Sequence, residues 1–306
     1  MRIVIPCLMI LAAVSETGAA AQGSGLSFLA LGTNAEALAR GGAGVATARG
    51  ASATFWNPAG LAPSQTREIA VSHHVWIADI RTYALTGAFS IGEKTGLGIF
   101  AVATSSGDLE ARQTPGESDG IFDAQFVSVG ASLARAMGPF RAGVSVKFLS
   151  ERIFINSANG YGFDLGVQTD LMDGGVHLGA SYSNLGKMEK LNAEATQLPN
   201  IVRVGMEVFP FKMVTAIDGA SLLSTSLIFE VSRNYVTEET HLHAGISGEV
   251  LETVTARVGY LSNDPLRKYS AGIGLEITDL VFDYTVLPFE DGFGGPAHIL
   301  TLTYSW

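Results

Sequence analysis

Between Phe140 and Phe148 the chain changes character at every step. Phe140, Ala142, Val144, Val146 and Phe148 alternate with Arg141, Gly143, Ser145 and Lys147. Tyr161, Phe163, Leu165 and Val167 alternate in the same way with Gly162, Asp164, Gly166 and Gln168, and the pattern returns over 176–183 and 269–277. A period of two is that of a β-strand, whose successive side chains point to opposite faces, so each segment has one apolar and one polar face. Less regular segments at 68–77, 79–89, 96–104, 125–134, 201–208, 223–233, 240–248, 254–261, 280–288 and 298–306 fit the same mould. Together they predict about fourteen strands, with no helix-period segment between them that would support a parallel βαβ sheet.

The connections alternate as well. Links at 90–95, 136–139, 171–175, 249–253 and 278–279 are short, whereas those at 105–123, 151–160, 184–200, 234–239, 262–267 and 289–297 are longer and polar. Short turns at one end and long loops at the other mark an outer-membrane barrel. Two links depart from this, the tight one near Ala78 and the long one at 209–222. A soluble β-sandwich or periplasmic β-domain would also show alternation. It is disfavoured by the high, even strand number and by polar faces built of Gly, Ser and Thr. The fold class predicted is therefore all-β, a transmembrane antiparallel β-barrel.

Composition agrees with a wall facing lipid. Charged residues are only 16% of the 306, against about 25% in soluble domains. A charge on the lipid face at mid-membrane costs about 2–4 kcal/mol, so strands of this kind must avoid them. The net charge of −10 argues against nucleic acid as a partner. Many of the 36 glycines fall inside strands, where they would leave room inside the barrel.

Residues 1–21 read as a secretory signal: Arg2, an apolar run from Ile3 to Val14, and the small residues Ala19, Ala20 and Ala21. Cys7, the single cysteine, lies inside that run, too early for a lipidation site. At the other end, Leu302, Tyr304 and Trp306 share one face of the last strand. This resembles the C-terminal signal by which barrels are recognised by the barrel-assembly machinery.

The stretch from Phe28 through Gly41-Gly42 to Phe55-Trp56-Asn57-Pro58-Ala59-Gly60, with Asp164-Leu165-Gly166, Asn184-Leu185-Gly186 and Phe282-Asp283-Tyr284, resembles the PorV/PorQ family. That family is a branch of the FadL-like fourteen-stranded outer-membrane barrels. The resemblance implies that 22–66 form an N-terminal plug and 67–306 the barrel. Asn34 is placed to cap a short helix through Leu38, Gly41 and Gly42 to end it, and Trp56, Asn57, Pro58 and Gly60 to form a turn. The segment either merely caps one end of the barrel or acts as a hatch that moves to admit a ligand.

Chemistry is sparse. Gly42-Ala43-Gly44 lacks the strand and third glycine of a nucleotide loop. His241 and His243 share a strand face and could grip a metal, although no third ligand is assigned, and hydrogen-bonded lumenal histidines explain them as well. His73 and His74 point to opposite faces. Ser226 and Ser247 carry no mark of a nucleophile. Inward-facing Arg141, Lys147, Asp164, Glu230, Arg257 and Glu276 are expected to form a charge network across the lumen. No cofactor is implied.

The resemblance therefore implies a non-enzymatic barrel in the outer membrane of a Gram-negative bacterium. It would be in contact with membrane lipid and associated with type IX secretion components and the C-terminal domains of secreted proteins. The alternative is a FadL-like channel for hydrophobic small molecules, released through a lateral gap. A continuous apolar tunnel lined by Phe100, Phe122 and Phe126 would favour that alternative.

Overall fold

A computed structural model describes residues 26–62, 67–107, 109–111, 120–213, 223–290 and 294–306. The signal read over 1–21, including Cys7, lies outside them. The strands are β1 (Glu68–Val75), β2 (Arg81–Ile91), β3 (Thr95–Ser105), β4 (Leu109–Ala111), β5 (Gly120–Phe122), β6 (Ala124–Met137), β7 (Phe140–Ile153) and β8 (Asn156–Leu171). They continue with β9 (Val176–Met188), β10 (Ile201–Met213), β11 (Leu223–Asn234), β12 (Thr240–Val250), β13 (Val254–Leu261), β14 (Tyr269–Ile277), β15 (Leu280–Leu287) and β16 (Ala297–Ser305). Fourteen of them close into an antiparallel barrel, each paired with its neighbours in sequence, and β1 seals against β16 from Glu68↔Ser305 to Val75↔His298. The remaining two, β4 and β5, pair with each other within the loop between β3 and β6. Among the described residues no helix is long and apolar enough to cross a membrane. The crossing elements are strands, which in a closed ring satisfy every backbone group between neighbours.

Alternation translates directly into a two-faced wall. On β7, Val144, Val146 and Phe148 are exposed on the outside while Arg141, Ser145 and Lys147 are buried inside. Leu302, Tyr304 and Trp306 point outward, Trp306 stacking on Tyr304 and meeting Phe89 edge-on. His73 and His74 divide as their spacing requires. His73 stacks on Tyr83 and His74 is fully buried inside, bonded to the Thr33 carbonyl.

Several strands run further than the alternation suggests. The link expected at 151–160 is a tight hairpin, because β7 continues to Ile153 and β8 begins at Asn156. The outward residues there are Ser150, Arg152, Ser157 and Asn159, polar because the hairpin has risen above the lipid belt. Its tip, Phe154 and Ile155, is exposed.

Candidate functional site

The lumen is filled by the N-terminal segment. Residues 26–62 carry two short α-helices, α1 (Ala35–Ala39) and α2 (Ala53–Trp56), and 3-10 turns at Ser27–Ala30, Gly50–Ser52 and Pro58–Leu61. Nearly all of it is buried. Leu26, Phe28 and Leu29 pack among Val102, Leu149, Met188 and Leu198 in the loop half of the barrel. Leu61 and Ala62 sit with Ala88 and Ala134 near the short-turn end. The segment thus descends the lumen and leaves on the side of β1's first residue. Short turns lie on the periplasmic side of such barrels, so the plug leaves towards the periplasm.

The plug main chain lies directly on the wall. An added Cβ at Gly272 would strike Ala39, at Gly259 Gly41 and at Gly245 Arg40. At Gly179 it would strike Val45, at Gly166 Asn57, at Gly143 Pro58 and at Gly96 Leu61. The strand glycines therefore form a track around the inside of the barrel that a backbone can occupy, a close-approach role instead of a flexible one.

Wall side chains satisfy the plug's polar groups, as burial demands. The Ala35 N–H donates to Thr301 Oγ1 at 2.9 Å, and Thr285 Oγ1 donates to the Ala35 carbonyl at 2.6 Å. Ser270 Oγ accepts from the Gly41 N–H and donates to the Ala39 carbonyl. Glu230 Oε2 accepts from the Gly44 and Val45 N–H groups at 2.8 and 2.9 Å. Asn57 Nδ2 lies within donating distance of the carbonyls of Val45, Val167 and Ala180, while its Oδ1 caps the Ala59 N–H.

Several sequence expectations change in detail. Asn34 precedes α1, but its side chain accepts from Trp56 Nε1 at 2.6 Å and makes no capping bond. Gly41 and Gly42 end the helix with φ of 75° and 76°, and the Gly42 N–H returns to the Ala37 carbonyl. The 56–60 segment is the end of α2 and the start of a 3-10 helix instead of a simple turn. Gly60 serves close approach to the Ala48 carbonyl and not a bend.

Five of the six lumenal charges expected from sequence are ion-paired. Lys147 pairs with Asp164 at 2.8 Å and donates to Asn184 Oδ1, which a bulge opposite Phe163 and Leu165 turns inward. Arg141 pairs with Asp170, not Asp164, alongside Arg49 and His177. Glu230 meets Arg203, whose guanidinium lies 5.4 Å from the Trp56 ring centre. Arg257 pairs with Asp283 at 2.6 Å. Glu276 joins none of these, being exposed on the last turn of β14 at the periplasmic mouth. The sequence assigns no partner to Asn184, Arg203, Arg49 or Asp170, since only the register and the plug's path bring their partners to them.

Both histidines are held by hydrogen bonds, His241 through Nδ1 to the Ser262 carbonyl. His243 uses both ring nitrogens, on the Gly41 carbonyl at 2.7 Å and Ser232 Oγ at 2.8 Å. Among the described residues no group of three His, Cys, Asp or Glu gathers to hold an ion. The Ser232–His243 pair is oriented by a plug carbonyl in place of a carboxylate, so it ties the plug to the wall. Among the described residues Phe100, Phe122 and Phe126 do not line a common tunnel. Phe126 packs against the plug's Phe28 cluster, Phe100 is buried against Gly130, and Phe122 meets Phe154 at the rim.

Above the plug, in the loop half of the lumen, lies a cavity of about 240 Å³. Leu31, Leu38, Gly42 and Trp56 form its plug side, and Ile201, His241, Leu261 and Leu287 belong to the wall. Arg267 and Asp264 stand at the mouth, joined by two bonds of 2.9 and 3.2 Å.

No family model matches the sequence, and no curated protein matches it. The fold is that of known outer-membrane barrels. The toluene transporter TbuX of Ralstonia pickettii superposes with a TM-score of 0.62 at 13% identity, over 90% of this chain and 98% of that one. The P. putida toluene transporter TodX gives 0.57 at 12% identity, and a Pseudomonas aeruginosa FadL homologue 0.51 at 12%. Both also cover 90% of this chain and 98% of their own. These matches show a FadL-like barrel fold and add no support for a PorV/PorQ assignment.

Proposed function

We propose that this chain is an outer-membrane channel for small hydrophobic molecules, with residues 26–62 as the movable hatch. The observation that supports it is the cavity at the loop end, whose floor is made by the plug itself. A ligand held there rests on the element that must move to let it pass. The FadL-like fold, shared with two toluene transporters, supports the same reading. All fourteen seams of the wall are hydrogen-bonded, so a lateral gap would require strands to part, whereas the axial path needs only the plug to yield.

The association with type IX secretion rests on the sequence resemblance alone, and no feature of wall or rim adds to it. Recognition of Leu302, Tyr304 and Trp306 by the barrel-assembly machinery belongs to this proposal as well. The test is toluene entry into cells of a Gram-negative host whose own outer membrane resists it. The intact protein should speed entry, and a variant lacking 26–62 should in addition pass ions indiscriminately. Entry no faster than in the host alone would refute the channel.

A further inference from the structure

The cavity above the plug has a chemical asymmetry. Leu31, Leu38, Leu261 and Trp56 give it apolar surface, while the carboxylate of Asp264 is occupied. Asp264 Oδ1 accepts from the Leu266 and Arg267 N–H groups, and Oδ2 accepts from the Arg267 guanidinium. His243 is saturated as described above.

His241 is different. Its Nδ1 lies 2.9 Å from the Ser262 carbonyl. A carbonyl can only accept, so Nδ1 carries the proton and the neutral ring keeps its lone pair on Nε2. Among the described residues Nε2 has no hydrogen-bond partner, and the His241 ring borders the cavity. The ring of His241 therefore offers a nitrogen acceptor held in place by Ser262 at a cavity with apolar walls. Its volume of about 240 Å³ leaves room for a single-ring molecule.

We propose that this cavity selects small apolar molecules bearing a hydroxyl donor, of the phenol class, with His241 Nε2 accepting the hydroxyl proton and the ring lying towards Trp56. The inference rests on the channel reading above and names its substrate class. A hydroxyl entering without an acceptor would lose its water and gain nothing, so the acceptor discriminates for the hydroxylated compound. The competing acceptor is Glu239, exposed at the rim, where its Oε2 already receives the Thr237 hydroxyl.

The test uses the full barrel in lipid nanodiscs, with imidazole nitrogens labelled and protein-free discs as blank, titrated with phenol and with toluene. Phenol should move the His241 Nε2 resonance and leave that of His243 in place. His241→Phe should weaken phenol binding about five-fold, the worth of one net hydrogen bond, and leave toluene unchanged. Glu239→Gln should change neither. Binding of both compounds with an unmoved His241 resonance, or a phenol loss in Glu239→Gln alone, would overturn the hydroxyl assignment while leaving the channel intact. Binding of neither compound, with no toluene entry in cells, would overturn both. The resonance measurement on the unaltered protein stands even where a variant folds poorly.

Discussion

Replacing Gly166 with alanine adds one methyl group, yet it should loosen the plug more than most single changes could. The new Cβ would overlap Asn57 Oδ1 and come within 2.9 Å of Pro58 Cδ. The nearest atoms belong to Asn57 and to the ring of Pro58, which cannot swing aside, so the carboxamide of Asn57 must leave. It would give up the Ala59 cap and its reach to the carbonyls of Val45, Val167 and Ala180. The amide has two N–H donors, so two carbonyl bonds and the cap are lost, ~3 kcal/mol at about 1 kcal/mol net each, with ~1 kcal/mol more for overpacking. Because the wall strands keep their own ladder, the loss should appear as release of the plug, through faster hydrogen exchange over 45–60, with a smaller fall in the barrel's urea midpoint. Gly248→Ala is the control, since nothing lies within 4 Å of its Cβ. Combining Gly166→Ala with Asn57→Ala should cost only about 1 kcal/mol more than Asn57→Ala alone, because the clash with Oδ1 is then gone and only the Pro58 contact remains. Equal effects from Gly166→Ala and Gly248→Ala, or additive losses in the double variant, would refute the reasoning.

Glu230→Ala should strand the Gly44 and Val45 N–H groups and the Arg203 guanidinium, a loss of about 3–5 kcal/mol visible as a lower unfolding midpoint in detergent. Arg49→Gln removes an ion pair to Asp170 that is about one-third exposed, so about 1 kcal/mol and a strong salt dependence are expected in plug release measured by protease nicking. At the mouth, burial pushes the Asp264 carboxyl up, but Arg267 and the Leu266 and Arg267 N–H groups outweigh it and hold the group below its ordinary value. The stabilisation is therefore complete above about pH 4 and lost as pH falls through the lowered value. Exchange in loop 262–268 should accelerate only in strong acid, and Asp264→Asn should remove that dependence. Deleting Tyr304-Ser305-Trp306 should slow barrel assembly, read as delayed appearance of the heat-modifiable band, and an unchanged rate would remove these residues from the assembly signal.

The wall was legible because lipid enforces it: Val144, Val146 and Phe148 can face nothing else, and their alternation reports strand, face and register parity at once. Legibility stopped where the lipid does. Ser150, Arg152, Ser157 and Asn159 still belong to paired strands, but outside the hydrocarbon an outward residue is free to be polar, so the hairpin resembled a loop. The lumen was harder still. Arg141 and Lys147 were recognisable as inward cations, but whether each meets Asp164 or Asp170 depends on interstrand offset, which no local pattern encodes. Ala35 finds its partners at Thr285 and Thr301, some 250 and 266 positions away. Asn34 had the right spacing for a cap and was diverted by Trp56, a neighbour that only the folded lumen brings close.

The glycine track bears on how a hatch of this kind would open. A globular cork held by its perimeter comes out in one event, whose barrier is the sum of all its contacts. Here a ribbon of chain is laid along successive strands, from Gly272 round to Gly96, and each station grips only a residue or two. Such a ribbon detaches like adhesive tape, with the barrier set by the station at the moving front and not by the total. Partial lifting from either end would then give a graded series of apertures from a single plug, and the order of the stations would decide which width is reached first.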